Sequence, residues 1–584
     1  MALSRTVITR KLVIFAAILN CTCISTETNG DFSQCEADVE IEEKKCSRNQ
    51  IWYSAFHRHD LIASLDSWGF SDSRLLDNFE VELEERNYVR QVKNVLFSKV
   101  LPTPLQTTVK LVAVSSDLLE NVLDLDKSIS ETEHFLTFVS GNTILPGSIP
   151  ISHRYGGHQF GEWSDQLGDG RAHLLGEYVN RNGDRWELQL KGSGLTPYSR
   201  RGDGRAVLRS SIREFLCSEA MYHLGIPTSR ALSVIVSGDP VWRDQFYDGH
   251  AKTEKAAVVL RLAKSWFRIG SLEILAMKRE IKLLRRLTDF VIENYFPSID
   301  ISDENKYLSL FSEIVSQTAD LMARWMSVGF AHGVMNTDNF SLLSITIDYG
   351  PFGFLDDYNP SFIPNTSDDE GMYSYENQPD IGHFNMNRLR AALWPLWNNK
   401  QKQLSEMILQ GYIDIYKTRF MEIFRGKLGF LSTDDKDEYI IGLLLKMMED
   451  TRTDFTMTFR QLGNLTFQHI QNNNVSDALW ALKTLQLHEK WNNWLQLYYA
   501  RITSEDDTDV KRMNRMNNVN PKYILRYWMA ESAIRKAEDN DFSEVQKLLE
   551  ILQAPYTEQL DMEPTGYADR PPEWSKKLKV SCSS

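Results

Sequence analysis

FAHGVMNTDNFSLLSITIDYGPFGF, residues 330–354, concentrates polar side chains of a kind that handles phosphate chemistry. Asn339 and Asp348 offer oxygen ligands nine residues apart. Asp348 closes the strand-like run SITID, and Gly350 just beyond Tyr349 permits a tight bend. Oxygen donors of this type suit Mg²⁺ or Mn²⁺ carrying nucleotide phosphates. Asp338 is the carboxylate placed to accept a proton from a hydroxyl, although Asn-Thr-Asp-Asn is also an ordinary turn in which an Asp caps the backbone. Asn339-Phe340-Ser341 also matches a glycosylation sequon, but a glycan would destroy the proposed ligand.

The order of these residues is that of a protein-kinase catalytic loop, His-x-Asp-x-x-x-x-Asn, followed by the metal-binding Asp-Phe-Gly. His332, Asn339 and Asp348-Tyr349-Gly350 hold those places, while Val334 stands where the catalytic Asp belongs. The site is either a dead kinase or a kinase-like site rebuilt for other chemistry.

The remaining chain is large enough for two lobes: 584 residues, 42% hydrophobic. With 79 acidic against 65 basic residues the net charge is -14, which argues against a nucleic-acid partner. No apolar run after residue 30 is long enough to span a bilayer. Residues 1–26 carry Arg5, Arg10 and Lys11 ahead of the apolar run Leu12 to Leu19, the pattern of a secretory signal peptide. The six cysteines (Cys21, Cys23, Cys35, Cys46, Cys217, Cys582) show no zinc spacing. Cys35 and Cys46 could pair in an oxidising compartment, and Cys582 sits on a tail expected to be mobile.

From residue 146 glycine and short alternating runs predict strands and tight turns. In RWELQLK, Trp186, Leu188 and Leu190 share one face, and Glu187, Gln189 and Lys191 the other. A helix is predicted from Ala206 to His223, a buried strand and turn over 255–273, and mostly helices from 276 onward, with amphipathic patterns over 386–553. The fold class that follows is α+β, a protein-kinase-like two-lobed fold with a β-rich N-lobe, a helical C-lobe and a helical C-terminal extension. Its expected divisions are a targeting segment (1–26), an N-terminal region packing on the core (27–145), a nucleotide-binding lobe (146–275), a catalytic lobe (276–400) and an extension ending in a redox-type cysteine tail (401–584).

Two GDGR tetrads, Gly168-Asp169-Gly170-Arg171 and Gly202-Asp203-Gly204-Arg205, flank the Lys191 strand. Each alone is an ordinary hairpin turn; together they form a phosphate-binding pattern. Lys191 followed by a helical Glu214 gives the order in which a kinase pairs its lysine, with Glu219 equally open by spacing. The ordinary alternative for Lys191 is a solvated strand residue. Arg200, Arg201, Arg205, Arg209 and Arg213 crowd one segment, a local excess of guanidinium that suits a polyphosphate, the ordinary alternative being a solvated helix face paired with neighbouring acids, and Arg261 and Arg268 straddle KSWF. His153 and His158 lack metal-ligand spacing and are expected to be structural.

With YGGHQFG, LGDGRA, LQLKGSG, TPYSRRGDGRAVLRSSIREFLCSEAM, RLAKSWFRIGSLE, HGVMNTDNFS, IDYGPFGFLDDYNP and NPKYILRYWMAESAI in order, the chain resembles the selenoprotein O family from about residue 145 onward. The resemblance implies a kinase-like protein adenylyltransferase that binds ATP reversed and esterifies AMP to Ser, Thr or Tyr of proteins, releasing pyrophosphate. It implies nucleotide contacts at Gly168, Gly170, Arg171, Lys191, Asp203, Gly204, Arg261, Arg268 and Asp348, with Glu214 as partner of Lys191. Asp338 becomes the proton acceptor, and Asn339 and Asp348 the Mg²⁺ (or Mn²⁺) ligands. Animal members are mitochondrial and often carry selenocysteine where Cys582 stands, so a mitochondrial location is the expectation and secretion the alternative. The rival activities are a conventional protein kinase and an inert nucleotide-binding pseudokinase scaffold.

Overall fold

The computed structural model describes residues 61–583, and from Ile62 onward the chain forms one compact unit. The targeting segment and Cys21, Cys23, Cys35 and Cys46 lie outside the described residues. The architecture is α+β, with a mixed sheet followed by many helices, and is compatible with two lobes.

Among the described residues the sheet has nine strands. We label eight of them β1 (Val81–Glu82), β2 (Phe97–Lys99), β3 (Val109–Val114), β4 (Ile151–His153), β5 (Ala172–Val179), β6 (Arg185–Lys191), β7 (Arg230–Arg243) and β8 (Lys252–Ala263). Their order is β1-β2-β4-β5-β6-β8-β7-β3, parallel at β1–β2 and antiparallel elsewhere, with Ala206–Val207 paired to β8. Residues 81–114 thus supply three strands to the sheet that carries Lys191.

The alternation in β6 explains its place near the middle of the sheet. Leu188 and Leu190 enter an apolar layer with Phe135, Phe138 and Val139 from the helix Glu133–Ser140. Each buried leucine contributes about 1.5–3 kcal/mol. The opposite, polar face is not solvated, because Glu187, Gln189 and Lys191 are all buried against the elements that follow. Helix α1 (Leu208–His223) lies there, starting two residues later than the pattern predicts because Ala206 and Val207 pair with β8. It ends before Gly225, whose φ of +74° suits a residue without Cβ.

Residues 255–273 divide differently from the expected strand and turn: β8 runs to Ala263, and helix α2 (Ile269–Met277) begins within the segment. Ser271 Oγ accepts from the Arg268 backbone N-H at 3.1 Å and closes the first turn. This helix is nearly all buried, so no amphipathic stripe announces it. SITID is not a strand either. Ser344 and Asp348 take φ of +50° and +62°, and only isolated bridges at Thr346 connect it to Thr228 and Phe340. The short pair Phe330–Ala331 with Gly353–Phe354 closes the loop instead.

Beyond α2 the chain is helical. Helices α3 (Lys306–Ser327), α4 (Gln378–Leu393) and α5 (Tyr412–Lys427) share a core through Leu310, Ile314, Met322, Leu389 and Tyr412. The later helices gather a second core around Phe459, Leu462, Trp491, Trp494 and Tyr498.

Candidate active site

A cavity of about 910 Å³ opens between the sheet and the helical part. Gly168, Gly170, Arg171, Lys191, Asp203, Gly204, Glu214, Arg261, Arg268, Asp338, Asn339 and Asp348 all line it, so every residue expected from the sequence to bind or react is brought to one space.

A chain of alternating charges runs along one wall. Lys191 Nζ stands 2.9 Å from Glu214 Oε2 and 2.5 Å from Asp348 Oδ1. The other Glu214 oxygen accepts from Arg261 Nη1 at 2.7 Å, and Arg261 also donates to Gln189, its cross-strand neighbour. The Arg261 guanidinium lies 4.4 Å over the Trp266 ring, and that of Arg268 4.2 Å over Tyr155. Glu219, left open by spacing, is bound by Arg230 at 2.8 Å and by Ser115 at 2.9 Å, away from the cavity. Burial acts to raise the Asp348 pKa, but Lys191, Arg261 and Arg171 together hold it well below the usual carboxylate range.

Asp338 lies in a different environment. Burial pushes its pKa up to about 7, with Arg268 opposing and the charge of Asp348 adding. Among the described residues its Oδ1 has no hydrogen-bond partner, and Oδ2 accepts a long bond from Gln159 at 3.4 Å. Arg268 donates to the backbone oxygen of Asp338 at 2.9 Å rather than to its carboxylate. The result is a carboxyl with an open lone pair, poised to titrate near neutrality, while its neighbour Asp348 stays ionised.

The loop 155–160 holds Asp338 in place, a role its sequence did not reveal. A Cβ on Gly157 would stand 2.7 Å from Asp338 Oδ1, and one on Gly270 would stand 2.1 Å from the Gly156 oxygen. His158 N-H donates to Thr337 Oγ1 at 2.7 Å, and Thr337 donates to Glu273 on α2. His158 Nδ1 and Glu273 Oε1 are 2.6 Å apart, so this histidine is structural, as expected. His332 is also structural: it stacks on Trp325 and accepts from Val334 N-H at 3.3 Å, fixing the loop that leads to Asp338.

Asn339 and Asp348 form a donor set that fits a hard divalent cation. The Asn339 nitrogen donates to Val334 O at 3.0 Å, which leaves its carbonyl oxygen as the ligand atom, and the ionised Asp348 supplies a second. The cluster Asp117, Glu219 and His223 lies elsewhere, and Arg230 already pairs with both of its carboxylates, reaching Asp117 at 2.7 Å.

Residues 81–553 match the family model described as protein adenylyltransferase SelO. The chain belongs to the SelO family. Relatives named protein nucleotidyltransferase YdiU include those of Methylobacillus flagellatus, 42% identical over 88% of this chain and 98% of the relative, and Azoarcus sp., 42% over 88% and 99%. The YdiU protein of Flavobacterium johnsoniae is 42% identical over 85% of this chain and 95% of its own.

In this SelO chain the two GDGR tetrads are shaped by close backbone approach. Gly168 takes φ of +94°, a Cβ on Gly170 would meet the Tyr198 carbonyl oxygen at 2.8 Å, and a Cβ on Gly204 (φ +72°) would meet the Gly194 carbonyl carbon at 2.2 Å. Asp203 accepts from both Arg243 Nη atoms at 2.8 Å and from the Arg205 N-H at 2.9 Å, so it braces the second tetrad at the cavity edge. The C-terminal tail of the chain is packed, contrary to the expected mobility. Thr366 N-H donates to Val580 O at 2.9 Å, Arg209 to Ser583 O at 2.8 Å, and Cys582 Sγ to Asn365 Oδ1 at 3.3 Å, and Val580 to Ser583 line the cavity. Cys217 is a free thiol in the core, unpaired with Cys582.

Proposed function

We propose that this chain transfers AMP from ATP to a Ser, Thr or Tyr hydroxyl of a protein, releasing pyrophosphate, from a two-lobed kinase-like site that binds ATP reversed. The observation that carries the reading is the separation of the two carboxylates: Asp348 ionised beside Lys191, and Asp338 raised to about 7 with an unpartnered oxygen.

Asp338 takes the proton of the acceptor hydroxyl as that oxygen bonds to the α-phosphorus. The α–β bridging bond breaks, and its electron pair leaves with pyrophosphate. Buried Lys191, Arg261 and Arg268 offer fixed positive charge to the leaving group, which costs no reorganisation during the step. A reversed nucleotide would place its β- and γ-phosphates at this arginine-rich wall. Asn339 and Asp348 would hold Mg²⁺ or Mn²⁺, which when bound neutralises phosphate charge.

Intact-mass spectrometry of an acceptor protein after incubation with ATP and Mg²⁺ tests this reading. An adenylyl adduct, lost in Asp348→Ala, is the expected result. A phosphoryl adduct would make the enzyme a kinase.

A further inference from the structure

One buried cation at the site has no place in the chemistry above. Arg213, on α1 next to Glu214, is 7% exposed and has no carboxylate within ion-pair distance among the described residues. Its Nε is buried without a hydrogen-bond partner. Nη2 donates to the backbone oxygen of Phe352 at 2.6 Å, four residues beyond Asp348. The guanidinium is held between two rings, 4.5 Å from the centroid of Phe352 and 5.0 Å from that of Tyr527. Tyr527 opens a helix of the C-terminal extension, Tyr527–Glu538.

Burying an unpaired guanidinium is unfavourable, so its placement demands compensating contacts. Here those contacts join three distant parts of the chain: the helix that carries Glu214, the loop that carries Asp348, and the extension. Tyr527 also donates to Pro364 O at 3.2 Å and occupies the space where a Cβ on Gly353 would stand, 2.6 Å from its hydroxyl oxygen. The preceding Arg526 pairs with Asp356 at 2.5 Å and Asp454 at 2.8 Å, fixing the chain just after the loop. Asp348 itself holds φ of +62°, a strained conformation for a residue with a side chain, so the loop needs support on both sides.

We propose that Arg213 and Tyr527 form a clamp that positions the Asp348 loop for metal binding, which makes the C-terminal extension a working part of the site. The inference rests on the reading of Asn339 and Asp348 as metal ligands. Arg213 acts as a positioning residue through the Phe352 carbonyl, and Tyr527 holds Arg213 against it. Lysine would keep the charge but could not both donate to that carbonyl and fill the space between the rings.

The test measures Mn²⁺ binding by electron paramagnetic resonance in the full chain with a non-hydrolysable ATP analogue, alongside analogue affinity without metal. Arg213→Met and Tyr527→Leu are expected to weaken Mn²⁺ about tenfold or more, as loss of outer supports of metal ligands does. Arg213→Lys and Tyr527→Phe should fall between, and metal-free analogue affinity should stay unchanged. An equal loss of metal-free affinity would instead make Arg213 a phosphate ligand and overturn the clamp. Unchanged Mn²⁺ binding in Tyr527→Leu would overturn it as well, and this milder variant serves if Arg213→Met does not fold. Because metal binding is read without turnover, a parent enzyme that proves to transfer the γ-phosphate would sink the adenylyl reading and leave the clamp standing.

Discussion

Asp338 and Asp348 carry the same side chain at the two ends of one loop and differ in what surrounds them. Asp348 has Lys191 at 2.5 Å, whereas Asp338 has burial and an unpartnered oxygen. A carboxyl raised to about 7 is protonated in the folded chain and ionised in the unfolded chain between about pH 4 and 7, so it lowers stability as pH rises through that window. Two outcomes follow. The free-enzyme kcat/KM should rise with pH through about 7 as Asp338 becomes a base. Asp338→Asn should lose about 10²–10⁴-fold in rate, yet be more stable than the parent at pH 8 by an amount that vanishes near pH 4, checked by denaturant unfolding at both pH values. Gly157→Ala offers a finer test, since its Cβ would press on Asp338 Oδ1. It should lower kcat about 10²-fold with little change in Tm, because a displacement of about 1 Å is costly in a reacting geometry. Asp338 was legible from its place beside Asn339. Its orphaned oxygen and the role of Gly157 were not, because they arise from a contact between segments about 180 residues apart, as at His158 and Thr337.

At the level of elements, the alternation of RWELQLK gave the two faces of β6 correctly but not that the polar face would be buried. That face is covered because α1 and β8 bring Glu214 and Arg261 to it, and no local pattern encodes such a partner. The choice between Glu214 and Glu219 likewise turned on Arg230, which occupies the second glutamate. SITID reads as a strand by composition, yet two positive-φ residues, Ser344 and Asp348, turn it out of the extended conformation. Helix α2, hidden from the pattern by its burial, reaches the catalytic loop through Glu273 and Thr337. Thr337→Val should therefore take the partner from both the His158 N-H and Glu273 Oε2 and destabilise the chain by about 1–3 kcal/mol. Activity should fall more than Tm alone accounts for, as comparison of kcat with thermal unfolding would show; equal effects would mean that the latch serves folding only.

The whole molecule encloses its site from three directions. The sheet presents the glycine tetrads and Lys191, the helical part presents Asp338, Asn339 and Asp348, and the C-terminal residues return to the rim through Arg209 and Asn365. The α+β class and the gathering of the site were legible because each contributing motif carries its chemistry locally, in glycines, guanidinium groups and carboxylates. The return of the tail was not, since VSCSS has no pattern that names a docking partner. On the function proposed for it, this enclosure presents the α-phosphate, not the γ-phosphate, to the acceptor. Transfer of label from ATP marked at either phosphate into protein, by the full chain with Mg²⁺, decides between the two. Label from the α-phosphate alone is the expected result, and label from the γ-phosphate would overturn AMP transfer.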